Sequence, residues 1–270
     1  MSTQQLKEIR HIALDMDGTI YSGGTLFPFT RRFLARLDEL GIGYTFFTNN
    51  SSKSVRDYIT HLARFGMEVG SDQMYTSTLS TIAYLRREYP NSERIFIVGT
   101  KSMQREMEEA GFSICDEDPE LVVVGFDPNL DFSQLCRAGY WIEQGKPFIA
   151  THPDRICPTD QPTLLIDCGA ICAALTSATG RAPDAVLGKP HRIMMEEILK
   201  KHDLQPRELA VVGDRIYTDV AMAHAVGATG VLVLTGEGTR EEGEAADPRP
   251  HLILESIEAL GDAIARAQAG

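Results

Sequence analysis

No apolar run in this chain approaches the roughly 20 residues that a membrane-spanning helix requires, and its opening residues, MSTQQLKEIRH, contain no apolar stretch of the secretory type. A membrane span and a secretory leader are therefore not expected, and the expected location is the cytoplasm. Positive charge is also scarce: 26 Lys and Arg stand against 38 Asp and Glu, a formal net charge of -12. Nucleic acids and anionic membranes need a basic footprint, so neither is expected as a partner. Small phosphorylated or neutral ligands remain open, because one site can be locally positive in an acidic protein. There is no internal repeat and no low-complexity tract. Cysteine is sparse and odd in number, at Cys115, Cys136, Cys157, Cys168 and Cys172. The chain is too long to need disulfide staples, and His152, Cys157, Cys168 and Cys172 match no standard zinc spacing. Reduced core residues are the expectation.

What is present is an alternation. The 270 residues suit one large domain or two modest ones, with 43% apolar residues to fill a core. Short β-rich runs recur as HIALD (11–15), GYTFFT (43–48), RIFIVG (94–99), LVVVGF (121–126), PFIAT (147–151), AVLG (185–188), LAVVGD (209–214) and GVLVLT (230–235). Amphipathic patterns such as FTRRFLARLDELG, SVRDYITHLARFG, SMQREMEEAGF and HRIMMEEILKKHDL lie between them. Strands apolar on both faces, alternating with helices, indicate an α/β fold with parallel sheets covered on both sides. The polar stretch TGEGTREEGEAADPRP (235–250) is expected to be a solvated loop before a last helix, ILESIEALGDAIARA.

Four strand ends carry polar residues that suit one site: the first ends at Asp15, with Asp17 just beyond; the second runs into Thr48, Asn49, Asn50, Ser51 and Ser52; a later one into Lys189; and another into Asp214. In open parallel sheets, ligands bind beyond the carboxyl ends of the strands. Two aspartates this close oppose each other's ionisation unless a cation or a shared proton relieves them. Asp15 is ionised at neutral pH and could attack phosphorus without a base, giving an aspartyl-phosphate. Asp17 could protonate the leaving oxygen and then deprotonate the attacking water. Thr48, Asn49 and Asn50, ahead of a helix expected near Ser52, could hold phosphate oxygens at a helix N-terminus. Lys189, followed by a proline suited to the first helical position, adds positive charge. Asp214 would complete an oxygen-rich pocket for Mg²⁺. Asp219 could orient Lys189 or a metal-bound water.

Each residue also has a plainer reading. The aspartates could form only a turn, Thr48 to Ser52 only a helix cap, Lys189 a solvated surface side chain, and Asp219 a complement to a helix dipole. Trp141 with Tyr140 reads as helix packing.

The set DMDGT, TNNSS, GKP and GDRIYTD, in this order, resembles the four motifs of the haloacid dehalogenase superfamily. More narrowly it resembles the NagD-like, class IIA branch, with its p-nitrophenyl, phosphoglycolate and pyridoxal phosphatases. The resemblance covers nearly the whole chain. It implies a Rossmann-like parallel-sheet core, 1–82 plus 185–270, with an inserted α/β cap of the C2 type over 83–184. It implies Asp15 as nucleophile and Mg²⁺ ligand, Asp17 as acid/base residue binding Mg²⁺ through its carbonyl, Thr48, Asn49 and Asn50 as phosphate-binding residues, Lys189 as the third-motif lysine, and Asp214 as a metal ligand. Dimers through the cap are a further implication. The chain departs from the family at His152 in ATHPDR, where relatives often carry asparagine, and at DCGA (167–170), in place of a Pro-Gly-Ala-Gly type of stretch. His152 and Arg155, with Asp154, are thus expected to choose the substrate, against the plainer reading of loop residues satisfying local backbone. The expected activity is Mg²⁺-dependent hydrolysis of a small phosphorylated metabolite. A phosphotransferase is the alternative, and a non-catalytic binding protein a more distant one. Asp17 speaks against a dehalogenase.

Overall fold

Two parallel sheets form from these runs, one in each of two units. The computed structural model describes residues 3–159 and 161–269. The first unit takes the chain up to Phe47, Leu62–Tyr75 and everything from Pro190 onward; the second takes Thr48–His61 and Thr76–Lys189.

In the first unit the sheet has six strands in the order Leu252–Leu254, Thr229–Val233, Leu209–Gly213, His11–Leu14, Gly43–Thr48 and Met74–Thr76. Every residue of His11–Leu14 and of Leu209–Gly213 is buried. Both strands are therefore covered on two faces, as their unbroken apolar runs require. They pair in parallel with Leu14 opposite Val212, and the Asp15 N–H continues the ladder onto the Val212 carbonyl at 2.8 Å. That register carries Asp15 and Asp214 off the same end of neighbouring strands. The helix Thr30–Leu40 buries Phe33, Leu34 and Leu37 and ends at Gly41, whose positive φ closes the last turn.

The second unit holds a five-stranded parallel sheet ordered Ala185–Val186, Phe148–Ala150, Leu121–Val124, Arg94–Val98 and Ser113–Ile114. The helices Phe132–Glu143 and Cys168–Thr179 pack on it through Ala138, Ile142, Ile171 and Leu175, against Phe96, Val122 and Phe148. Trp141 packs against this core, and Tyr140 is exposed.

Several expectations are corrected. The stretch 235–250 is not all loop: Arg240–Ala245 is helical, started by a capping box between Thr239 and Glu242. The last helix begins only at Ile257, because Leu252–Leu254 pairs as an edge strand. Of the five cysteines, all free, only Cys168 and Cys172 are buried, and Cys136 is exposed. The two-residue strands Tyr21–Ser22 and Thr25–Leu26 form an antiparallel hairpin after Asp17; they are too short to show an alternation.

Candidate active site

In the first unit three carboxylates gather. Asp15, Asp214 and Asp219 are 7%, 4% and 0% exposed, and one oxygen of each lies within 4.8 Å of the others. Asp15 and Asp214 leave adjacent strands, and Asp219 is brought back by a single wide turn, Ile216–Val220, of the π type that is frequent at functional sites. The Arg215 N–H donates to Asp219 Oδ2 at 3.1 Å. The backbone N–H of Glu237 donates to Asp214 Oδ2 at 2.7 Å, and that of Gly238 to the Asp214 carbonyl at 2.8 Å. The cluster leaves no room for side chains around it. Gly18 has φ +81, and a Cβ there would stand 2.4 Å from Asp214 Oδ2, so glycine is demanded by conformation and by space.

Asp17 is placed differently. It is exposed, its Oδ1 accepts from the Gly23 N–H of the hairpin at 3.2 Å, and it is not among the three clustered carboxylates. Arg215 reaches Glu237 Oε2 at 2.8 Å. Burial opposes its charge, but Tyr217, Glu237, Asp214 and Asp15 outweigh that and hold the guanidinium firmly protonated. Three buried carboxylates beside the Arg215 guanidinium are an all-oxygen donor set, which suits a hard divalent ion such as Mg²⁺ and not a soft one.

In the second unit the residues after Thr48 form a polar knot. Thr48 Oγ1 accepts from the Asn50 N–H, and Asn50 Oδ1 accepts from the Ser52 N–H and hydroxyl. The helix that follows starts at Val55, not near Ser52, capped by the reciprocal Ser54 and Asp57 bonds. The expected helix N-terminus is thus displaced from Thr48–Asn50. The helix after Lys189 likewise starts at Ile193, with Pro190 in the turn before it. Asn49 is buried and its amide is committed: Oδ1 accepts from the Lys189 N–H at 2.6 Å, and Nδ2 donates to Asp154 at 3.1 and 3.2 Å. Lys189 is 5% exposed.

His152 is wholly buried, with Asp154 at 3.6 Å and Asp167 at 3.5 Å. Burial opposes its charge, yet Cys168, Asp154 and Asp167 raise its pKa to about 9. Burial likewise disfavours ionised Asp154, but His152, Asn49 and Lys189 prevail and lower its pKa. Arg155 is exposed.

Sequence reasoning missed Glu237 and Gly238, whose N–H groups hold Asp214, and Asp167, which faces His152. The signal for the first pair was the polar TGEG after a strand neighbouring that of Asp214. Asp167 opens the DCGA stretch that departs from the family, but nothing local tells that it faces His152.

Residues 12–113 match the haloacid dehalogenase-like hydrolase family and residues 186–260 the HAD-hydrolase-like family. The 4-nitrophenylphosphatase of Thermotoga maritima superposes with a TM-score of 0.91 at 37% identity, covering 96% of this chain and 99% of that one. The glycerol phosphate phosphatase of Mycobacterium tuberculosis, solved in complex with magnesium, gives 0.87 at 30%, covering 95% and 77%. The ribonucleotide monophosphatase NagD of Escherichia coli K12 is 29% identical over 249 residues, 92% of this chain and 97% of NagD. The chain belongs to the haloacid dehalogenase-like hydrolases. Within them it lies in the NagD-like, class IIA branch of phosphatases.

Proposed function

We infer that the chain is a Mg²⁺-dependent phosphomonoester hydrolase that acts on a small phosphorylated metabolite through an aspartyl-phosphate. The observation that carries this is the cluster of three buried carboxylates at and just beyond the ends of adjacent parallel strands. Asp15 and Asp214, with the Asp17 carbonyl, would hold Mg²⁺, and Asp219 supports them. When bound, the cation neutralises the cluster and draws charge from the phosphate oxygens.

Asp15 attacks phosphorus, and the P–O bond to the leaving group breaks as that oxygen takes the proton held on Asp17. Asp17 then takes a proton from water, whose oxygen attacks the acyl phosphate, releasing phosphate and restoring the Asp15 carboxylate. Thr48, Asn49 and Asn50 hold phosphate oxygens through hydroxyl and backbone N–H groups, and Lys189 supplies positive charge. Segment 83–184 acts as the cap of the core, and exposed Arg155 contacts the leaving group.

The acidic net charge supports a metabolite over nucleic acid or membrane as partner. Among the described residues no helix is long and apolar enough to cross a membrane, and five free thiols support a cytoplasmic setting. Exposed Phe132, Tyr140, Ile156, Leu164 and Ile166, all in the second unit, support a dimer through the cap; light scattering tests this.

The deciding experiment incubates the purified protein with Mg²⁺ and phosphorylated sugars, nucleotides, phosphoglycolate and pyridoxal phosphate. Free phosphate should be released from at least one. Transfer to an acceptor hydroxyl would instead make the chain a phosphotransferase, and silence across the panel would refute the reading.

A further inference from the structure

The second unit contains a polar group, His152 with Asp154 and Asp167, that the steps above do not use. Each ring nitrogen of His152 faces a carboxylate: Nδ1 lies 3.6 Å from Asp154 and Nε2 3.5 Å from Asp167, with Ser51 Oγ 3.4 Å from Nε2. A neutral imidazole carries one N–H, so its other nitrogen would set a lone pair against a carboxylate. The ring is shut off from water between two carboxylates, and with Cys168 they outweigh burial and raise its pKa to about 9, so it carries both protons.

Asp154 passes this arrangement on. The two ends of an amide are nearly the same size, and only their partners decide which way it points. An ionised carboxylate only accepts, so Asp154 draws Asn49 Nδ2 to itself and turns Oδ1 toward the Lys189 N–H at 2.6 Å. The same Nδ2 reaches the Lys189 carbonyl at 3.3 Å. Slack is absent. At Gly188, with φ +66, a Cβ would stand 2.6 Å from Asn49 Oδ1 and 2.8 Å from His152 Cβ.

We propose that His152 is a positioning residue for phosphate binding: it fixes Asp154 as an acceptor, Asp154 orients the Asn49 amide, and that amide sets the backbone at Lys189. This rests on the reading of Asn49 and Lys189 as phosphate-holding groups, and it replaces direct contact of His152 with substrate by an indirect role common to every substrate.

The test uses His152→Asn with Mg²⁺, p-nitrophenyl phosphate and inorganic phosphate. Asparagine donates to only one of the two carboxylates. KM for p-nitrophenyl phosphate and the competitive Ki of inorganic phosphate should rise together by about tenfold, with kcat falling less than about threefold, because bound substrate and transition state lose the same support. Asp154→Asn should behave alike, and the double variant no worse than either, since both act through one chain. Lowered Tm with unchanged constants, or additive losses, would overturn the proposal. Should His152→Asn not fold, ¹⁵N spectra of the wild-type histidine rings at about pH 7.5 decide: two ring N–H groups on His152 support it, one overturns it. Turnover by the wild type tests the underlying reading separately: its absence refutes that reading, whereas an active variant with unchanged constants refutes only this one.

Discussion

Lowering the pH from about 7.5 to about 5 should destabilise the protein by about 2 kcal/mol through His11 alone. The His11 ring is 5% exposed, its Nε2 stands 2.9 Å from Thr45 Oγ1, and it stacks on His202 at 4.1 Å between centroids. Burial, followed by His202 and Lys201, lowers its pKa from 6.5 to about 3. The unfolded chain takes up this proton below about pH 6.5, while the folded ring stays neutral until about 3. The stabilising contribution is therefore complete above about pH 6.5. It falls by about 1.4 kcal/mol per unit below that and reaches its full loss, about 5 kcal/mol, once the pH is below about 3. His202, also lowered by burial and by Lys201, adds a loss of the same sign. Urea unfolding at a series of pH values reads the effect, with His11→Gln as control because its amide can still donate to Thr45. The variant should be less stable at about pH 7.5 yet lose about 2 kcal/mol less on acidification. An identical pH slope in both proteins would refute a neutral, buried His11.

Asp15→Asn should abolish turnover, since an amide is a poor nucleophile and a weaker metal ligand; assays of phosphate release with near-normal rates would remove Asp15 from that role. Asp17→Asn should slow alkyl phosphates by at least about tenfold more than p-nitrophenyl phosphate, whose leaving group needs little protonation; equal losses would contradict a leaving-group acid. Chelation with EDTA should stop turnover and Mg²⁺ restore it, while Ca²⁺, with looser coordination, should fail to substitute; full activity with Ca²⁺ would show that strict octahedral alignment is not needed. Arg155→Ala should lower kcat/KM about tenfold on the best metabolite and little on p-nitrophenyl phosphate, and proportional losses on both would count against a leaving-group contact.

The parallel α/β class was legible because buried strands must be apolar on both faces, so HIAL and LAVVG announce themselves without any partner in view. Asp15 and Asp214 were legible as strand tips for the same reason. Short edge elements were not: Leu252–Leu254 is only half buried and reads as helix until its pairing with Thr229–Val233 is known. The Arg240–Ala245 helix was hidden because its cap and acidic first turn look like the polar loop that surrounds them.

The alternation of strands and helices, the order of the four acidic, polar and lysine motifs, and through them the family, can all be read along the chain. Periodicity and motif spacing are local, and they survive without knowledge of what packs where. Packing brought Asp219 to Asp15 and Asp214, through a wide turn folding back beneath Gly213. It likewise decided that the Asn49 amide is committed to Asp154 and Lys189, 105 and 140 residues away, and that His152 lies between two carboxylates out of reach of water. Burial and hydrogen bonding across such separations are set by packing of the whole unit, and no window of neighbouring residues carries them.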